Sequence, residues 1–311
     1  MTGSERERVQ EALRNYCIQE RKVTLIRHNE NITCQVVSDE SAYVLRIHLP
    51  MEGFSLKLLE TVPAAELMEG EVELLRYLAG RAPFPVQLPV RNRRGSYVTL
   101  LSGGIPCELL QWVEGRPMDK ENANGYAGQL GALAAQLHRA ARGFTGTRPS
   151  YSHDLVRRMR RELELASRES HITGEQESVC QAVLDETDRV MTVLDKTPGA
   201  GSLIHADLSF GNVLLTPSGP APIDFSLSGF GYKAQECGML AANYRGRREW
   251  ESIRESYGRE SGFPVEPHHM HSFMAFSVLL FIAAQHNRFW RERWFRESMA
   301  RWTGGLFQEV R

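Results

Sequence analysis

The chain has 311 residues, 42% of them hydrophobic, and its 37 basic and 38 acidic side chains leave a formal net charge of -1. That balance excludes a general electrostatic pull toward nucleic acid or an anionic membrane surface, while the length allows a sizeable core divided between two lobes or domains. Five cysteines (Cys17, Cys34, Cys107, Cys180, Cys237) stand apart without a C-x-x-C pair, which argues against a disulfide scaffold or a zinc site and suits a reducing compartment.

In chain order, Glu5 to Glu20 has helical spacing, with Val9, Leu13 and Tyr16 on one side. The segment from Met1 to Arg21 is charged and carries no apolar signal core. Three strand-like pieces follow, Val23 to Arg27, Thr33 to Val37 and Tyr43 to His48, separated by the polar turns His28 to Asn31 and Asp39 to Ser41. This is the pattern of a β-meander. Alternation in the third piece places Val44, Arg46 and His48 on one face and Tyr43, Leu45 and Ile47 on the other. Leu67 to Leu78 reads as an amphipathic helix, and Tyr97 to Leu101 and Glu108 to Val113 as two more strands.

Glu114-Gly115-Arg116-Pro117 breaks the strand pattern, and beyond it helices dominate: Gly125 to Ala141, Ser152 to Ala166, Glu175 to Leu194 and His268 to Gln285. Strands first and helices later predict an α+β protein of two unequal lobes. The longest apolar run, Phe273 to Ala284, is interrupted by Ser277 and is too short to span a bilayer. It reads as a buried helix of a soluble, cytoplasmic protein. Arg91 to Arg94 reads as a turn and Arg157 to Arg161 as a solvated helix face. His268, His269 and His271 read as a helix start without a carboxylate or cysteine to complete a metal site. The C-terminal aromatics Phe273, Phe276, Phe281, Phe289, Trp290, Trp294, Phe295 and Trp302 read as core of the helical lobe, with a cation–π cage for a quaternary amine as the sharper alternative.

Chemistry concentrates in His205-Ala206-Asp207-Leu208-Ser209-Phe210-Gly211-Asn212 and, twelve residues after Asn212, in Ile223-Asp224-Phe225. Val213 to Leu215, the turn formers Thr216 to Pro220, and Ala221 to Ile223 predict a hairpin that returns Asp224 beside Asn212. Phosphoryl transfer needs three such oxygen-bearing side chains: one to accept the proton of the attacking hydroxyl and two to hold Mg²⁺ beside the nucleotide phosphates. Mg²⁺ takes hard oxygen donors and keeps several waters.

The pattern H-x-D-x-x-x-x-N followed by I-D-F resembles the aminoglycoside phosphotransferase and choline kinase superfamily, whose members share the fold of protein kinases. The resemblance spans nearly the whole chain and is strongest over residues 202–231. It implies a protein-kinase-like bilobal fold, with an antiparallel sheet and one main helix in the N-terminal lobe and a larger, mostly helical C-terminal lobe. Residues 1–113 would form the nucleotide-binding lobe, and residues 114–311 the catalytic and substrate-binding lobe. Asp207 then matches the catalytic base, Asn212 and Asp224 the metal ligands, and His205 a histidine that supports the loop. ATP and Mg²⁺ are the implied cofactors.

The same resemblance places a phosphate-binding cation at Arg46, where protein kinases carry lysine, and its carboxylate partner at Glu71 in preference to Glu73. It likens His28 to Asn31, with Asn31 at its end, to the loop that covers the phosphates, although an ordinary hairpin turn describes this glycine-free stretch equally well. Gln111, Trp112 and Val113 resemble the hinge that binds adenine through the backbone. Ser209 stands where Ser/Thr protein kinases usually carry lysine, and no A-P-E segment follows Asp224, so a small-molecule hydroxyl is the expected acceptor. Amino alcohols, homoserine, sugars and aminoglycosides all remain open. The alternatives are a nucleotide-binding protein without significant catalysis, with a regulatory or structural role, and an atypical protein kinase.

Overall fold

The computed structural model describes residues 1–55 and 57–310. Helix α1 (Gly3–Leu13) starts on a capping box, in which Thr2 Oγ1 accepts from the Glu5 N–H at 3.2 Å and Glu5 Oε2 accepts from the Thr2 N–H at 2.6 Å. It ends well before the predicted Glu20. Val9, Leu13 and Tyr16 are all buried as their spacing implied, but Tyr16 reaches the core from the turn after the helix. The periodicity therefore reported burial beyond the helix end.

Strands β1 (Glu20–His28), β2 (Ile32–Ser38) and β3 (Ala42–Ile47) form the expected meander. With β4 (Val98–Leu101) and β5 (Ile105–Gln111) they build one antiparallel five-stranded sheet, ordered β1-β2-β3-β5-β4. On β3 the alternation holds. Leu45 and Ile47 pack with Val9, Leu13 and Tyr16 under α1, while Val44 joins the larger core on the opposite face. Helix α2 (Ala64–Leu78) covers that second face through Leu74, Leu75 and Leu78, each at most 1% exposed. Burying each such side chain stabilises the lobe by about 1.5–3 kcal/mol.

Strand β6 (Arg116–Pro117) precedes the helical part: α3 (Ala127–Ala140), α4 (His153–Arg168), α5 (Gly174–Asp195), α6 (Lys233–Ala241), α7 (Arg247–Ser261), α8 (Pro267–Phe289) and α9 (Arg293–Gly304). Four short strands interrupt it. β7 (Gly201–Ile204) pairs with β10 (Gly229–Tyr232), and β8 (Val213–Thr216) pairs with both β6 and β9 (Gly219–Pro222). Helices α6, α7 and α9 were not apparent in the sequence pattern. Helix α7 buries only Ile253 and Tyr257. It seats against α3 so closely that a Cβ on Gly131 would stand 2.3 Å from the Ile253 carbonyl oxygen, so this contact rests on small residues that apolar periodicity does not register. Among the described residues no helix is long and apolar enough to cross a membrane.

Candidate active site

Strand β7 leads into His205, which is fully buried. Ala206 has φ +64°, a conformation that side chains other than glycine rarely adopt. The bend points the chain so that Asp207 lines a cleft. A buried carboxylate on α6 holds the bend in place. Glu236 accepts the His205 N–H at 2.5 Å and the Ala206 N–H at 3.2 Å, and its Oε2 lies 3.4 Å from His138 Nε2. The His205 ring reaches across the hairpin, with Nε2 3.2 Å from the Ile223 carbonyl oxygen, and packs on Phe225 with ring centroids 4.6 Å apart. Burial lowers the His205 pKa, so its ring is a neutral spacer rather than a charge.

The β8–β9 hairpin returns the chain as its turn residues foretold, and the Ile223 N–H donates to the Asn212 carbonyl at 2.9 Å. Asp207 and Asn212 meet directly, because Asn212 Nδ2 donates to Asp207 Oδ2 at 2.6 Å and to the Asp207 carbonyl at 3.1 Å. That leaves Asn212 Oδ1 pointing away from Asp207. Burial pushes the Asp207 carboxyl up to about 6, against the opposing pull of Ser209, Arg27 and Asn212. Asp224 also has a positive φ, +64°. Its Oδ1 lies 3.1 Å from Arg46 Nη2 and accepts from Ser226 Oγ at 2.9 Å.

A cation already sits between the two outer oxygens. Arg27, on β1, donates to Asp224 Oδ2 and, at 3.5 Å, to Asn212 Oδ1. Asn212 and Asp224 thus converge on one positive charge through hard oxygen donors, the donor set that suits Mg²⁺. Nothing in the sequence pattern drew attention to Arg27.

Arg46 lies 4% exposed above this pair, with Nη1 bonded to Glu71 Oε1 at 2.5 Å and to Glu108 Oε1 at 2.8 Å. Burial alone would depress the guanidinium, but Glu71 and Glu108 outweigh it and hold the pKa above its ordinary value. Glu73 is exposed and does not join the cluster. Glu108 escaped sequence reasoning. It is the one acid in the apolar strand Ile-Pro-Cys-Glu-Leu-Leu-Gln, directly opposite Arg46 in the β3–β5 register. Desolvation, with Glu71 close by, raises the Glu108 carboxyl well above the usual range. Glu30 is likewise pushed up by burial, to about 7. Four acids thus face Arg46: Glu71, Glu108 and Asp224 in contact, and Glu30 through its charge. Arg148 is a further buried cation that the sequence did not advertise. It ties the segment after Asp224 to α2 by donating to the carbonyls of Phe225, Ser226, Ser228 and Leu67 at 2.6–2.9 Å.

Asn31 immediately precedes β2 and is buried, with Oδ1 3.3 Å from His48 Nδ1. Both residues line a small space shared with Arg46 and Glu71. At the end of β5, the Gln111 N–H donates to the Leu88 carbonyl at 2.7 Å and the Trp112 N–H to the Ala42 carbonyl at 3.0 Å. Of these three backbone donors only the Val113 N–H lacks a partner among the described residues.

A strand-borne guanidinium braced by a helix carboxylate, above an Asp–Asn–Asp set on a loop and hairpin, is the geometry of a phosphoryl-transfer centre. The family-wide sequence profile of the phosphotransferase enzyme family (APH) matches residues 22–273. The chain belongs to that family. Comparison with curated protein sequences gave no match. Solved structures share the fold. An aminopropanol kinase associated with a microcompartment is 21% identical, with a TM-score of 0.77 over 97% of this chain and 95% of its own. An amicoumacin kinase solved with AMP-PNP and Ca²⁺ is 19% identical, with a TM-score of 0.74 over 98% and 94%. A spectinomycin phosphotransferase solved with ADP and spectinomycin is 13% identical, with a TM-score of 0.59 over 98% and 93%.

On the side of Asp207 away from Arg46, this family member opens a cavity of about 870 Å³. Here the reading of the aromatics needs correction. Phe273, Phe276 and Phe295 are fully buried core, but Phe281, Phe289, Trp294 and Trp302 line the cavity. They touch one another at centroid distances of 5.0–6.4 Å. Phe281, Phe289 and Trp302 also pack on the core with their other side, so each spans core and cavity, which local spacing could not reveal. His268 also differs from expectation, because it has a carboxylate partner, Glu186, at 2.6 Å. Arg157 and Arg161 are exposed, as a solvated helix face implies, while Arg158 and Arg160 are half-buried and bond to the Leu58 carbonyl, Gln181 and Asp185.

Proposed function

We propose that the protein is an ATP- and Mg²⁺-dependent phosphotransferase that phosphorylates a hydroxyl group of a small molecule. Residues 1–113 act as the nucleotide lobe, and residues 114–311 as the catalytic and substrate lobe. The observation that carries this reading is the convergence of Asp207, Asn212 and Asp224 at one point, with Arg46 braced by Glu71 above them. Adenine would bond to the free Val113 N–H, beside Gln111 and Trp112. Arg46 would face the phosphates, with Asn31 under the loop that covers them.

Asn212 Oδ1 and Asp224 would hold the metal. The metal would supply positive charge to offset what develops on the transferred phosphoryl group. Arg27 would have to give up the Asn212 and Asp224 oxygens it now bridges. Asp207 orients the acceptor hydroxyl and takes its proton. The hydroxyl oxygen bonds to the γ-phosphorus as the bond to the β–γ bridging oxygen breaks, and ADP leaves. Asn212 Nδ2 fixes the Asp207 carboxylate, and Glu236 fixes the loop beneath it, so that catalysis is positioning and electrostatic stabilisation.

The test is radiolabel transfer from γ-labelled ATP to a panel of amino alcohols, hydroxy acids, sugars, aminoglycosides and a generic protein, with wild type and Asp207→Ala. Label in a small molecule, lost in the variant while ATP binding persists, supports the reading. Turnover retained within a few-fold by Asp207→Ala would remove Asp207 from its role. Mg-ATP binding without any labelled acceptor would favour a non-catalytic nucleotide-binding protein.

A further inference from the structure

The cavity beside Asp207 has a charge pattern that selects among small-molecule acceptors. Among its lining residues the only acid is Asp207, which the hydroxyl engages, while the cations are Lys120 and Arg288. Neither cation has an ion pair among the described residues. Arg288 is held by soft contacts alone: its guanidinium lies 4.9 Å from the Phe289 centroid and 5.8 Å from the Phe54 centroid, and Nη2 is 3.4 Å from Met51 Sδ. A half-buried guanidinium stacked on aromatic faces keeps its in-plane N–H donors available for a carboxylate.

Two features exclude an amine-rich acceptor. Several ammonium groups need several carboxylates, and the cavity offers none beyond Asp207. The aromatic face of Phe289 that could attract a single ammonium already carries Arg288, and a second cation there would meet like charge. The remaining wall, made by Phe281, Trp294 and Trp302, is broad and apolar and suits an aryl or branched alkyl body.

Building on the phosphotransferase reading, we infer that the acceptor is an anionic hydroxyl compound: a carboxylate paired with Arg288, an apolar body against the Phe281–Trp294–Trp302 wall, and a hydroxyl at Asp207. Lys120, at the rim, adds attraction for the same charge.

A matched pair of probes decides the point. 2-Benzyl-3-hydroxypropanoate and phenylalaninol share a benzyl group and a primary hydroxyl and differ by a carboxylate against an ammonium on the same carbon. Binding of each is measured by calorimetry with AMP-PNP and Mg²⁺ present, and phosphate transfer with γ-labelled ATP, for wild type, Arg288→Gln and Arg288→Glu. The acid should bind wild type about tenfold or more tightly than the amine. That preference should vanish in Arg288→Gln and invert in Arg288→Glu, while nucleotide affinity is unchanged. Equal or tighter binding of the amine by wild type, binding of neither probe, or a preference indifferent to Arg288 would overturn the inference. Preferential binding of the acid without transfer would uphold the charge reading of the cavity and count against the phosphotransferase reading instead.

Discussion

The two sides of Asp207 are built on opposite principles. Toward the sheet, Arg46, Glu71, Glu108 and Asp224 form a dry, densely paired charge cluster. Toward α8 and α9, a wide cavity has aromatic walls and two unpaired cations. In the proposed reaction, transfer from a nucleotide needs fixed charges, whereas an acceptor is recognised by shape and by a few polar groups. Changes on the sheet side should therefore act on turnover and nucleotide affinity whatever the acceptor, and changes on the cavity side on acceptor choice alone.

The largest effect expected is at the boundary itself. Asp207→Asn should lower kcat by about 10²–10⁴-fold, the usual contribution of a positioned base, with ATP affinity by calorimetry nearly unchanged. It should also raise the melting temperature at neutral pH. Because burial lifts this carboxyl to about 6, the unfolded chain ionises first as pH rises. Wild type therefore loses stability between about pH 4 and 6, and the variant does not. The gap between the two melting curves should close as pH falls through that window. A gap independent of pH would contradict the burial of this charge.

Next comes Glu236→Ala, which leaves the buried His205 and Ala206 N–H groups unpaired. Unfolding in denaturant should show a loss of about 2–6 kcal/mol, at about 1–3 kcal/mol for each of the two orphaned donors, and kcat should fall with it as the Asp207 loop loosens. Within the charge cluster the two acids beside Arg46 should differ. Glu71→Ala should raise the Kd for Mg-ATP about tenfold or more by freeing Arg46 to shift. Glu108→Gln should change it less than about threefold, because glutamine keeps an oxygen acceptor opposite Arg46 while Glu71 still holds the guanidinium. Equal effects would show that Glu108 is ionised and bracing Arg46 as strongly as Glu71. The smallest effect expected is at Arg27→Gln, which removes the internal cation and should tighten binding of Mn²⁺ alone, read by electron paramagnetic resonance, by a few-fold.

How far the sequence disclosed these features follows the range of the contacts. The Asp207–Asn212 pair and the return of Asp224 are local, closed by a five-residue step and a hairpin, and both were readable from spacing. The meander and the Arg46 face followed from alternation on β3. Glu236 supports a loop 31 residues upstream of it, and Arg27 meets Asp224 across 197 residues. Arg148 gathers four carbonyls from two distant segments. None of these leaves a periodic or spaced trace. The aromatics of α8 and α9 were read as one core because composition does not tell an inward face from a cavity wall. Tyr16 misled in the reverse sense, since its burial extended an apparent helix beyond Leu13.

The central claim, that Asn212 and Asp224 hold the metal of a nucleotide bound under Arg46 while Asp207 stays free for the acceptor, is tested most directly by a crystal structure with AMP-PNP and Mn²⁺. The account predicts an anomalous peak at about 2.0–2.3 Å from Asn212 Oδ1 and the Asp224 carboxylate, Arg27 displaced from both, and Asp207 outside the coordination shell. Nucleotide in the cleft with Arg27 still bridging Asn212 and Asp224, or a metal held by Asp207 in place of Asn212, would contradict it.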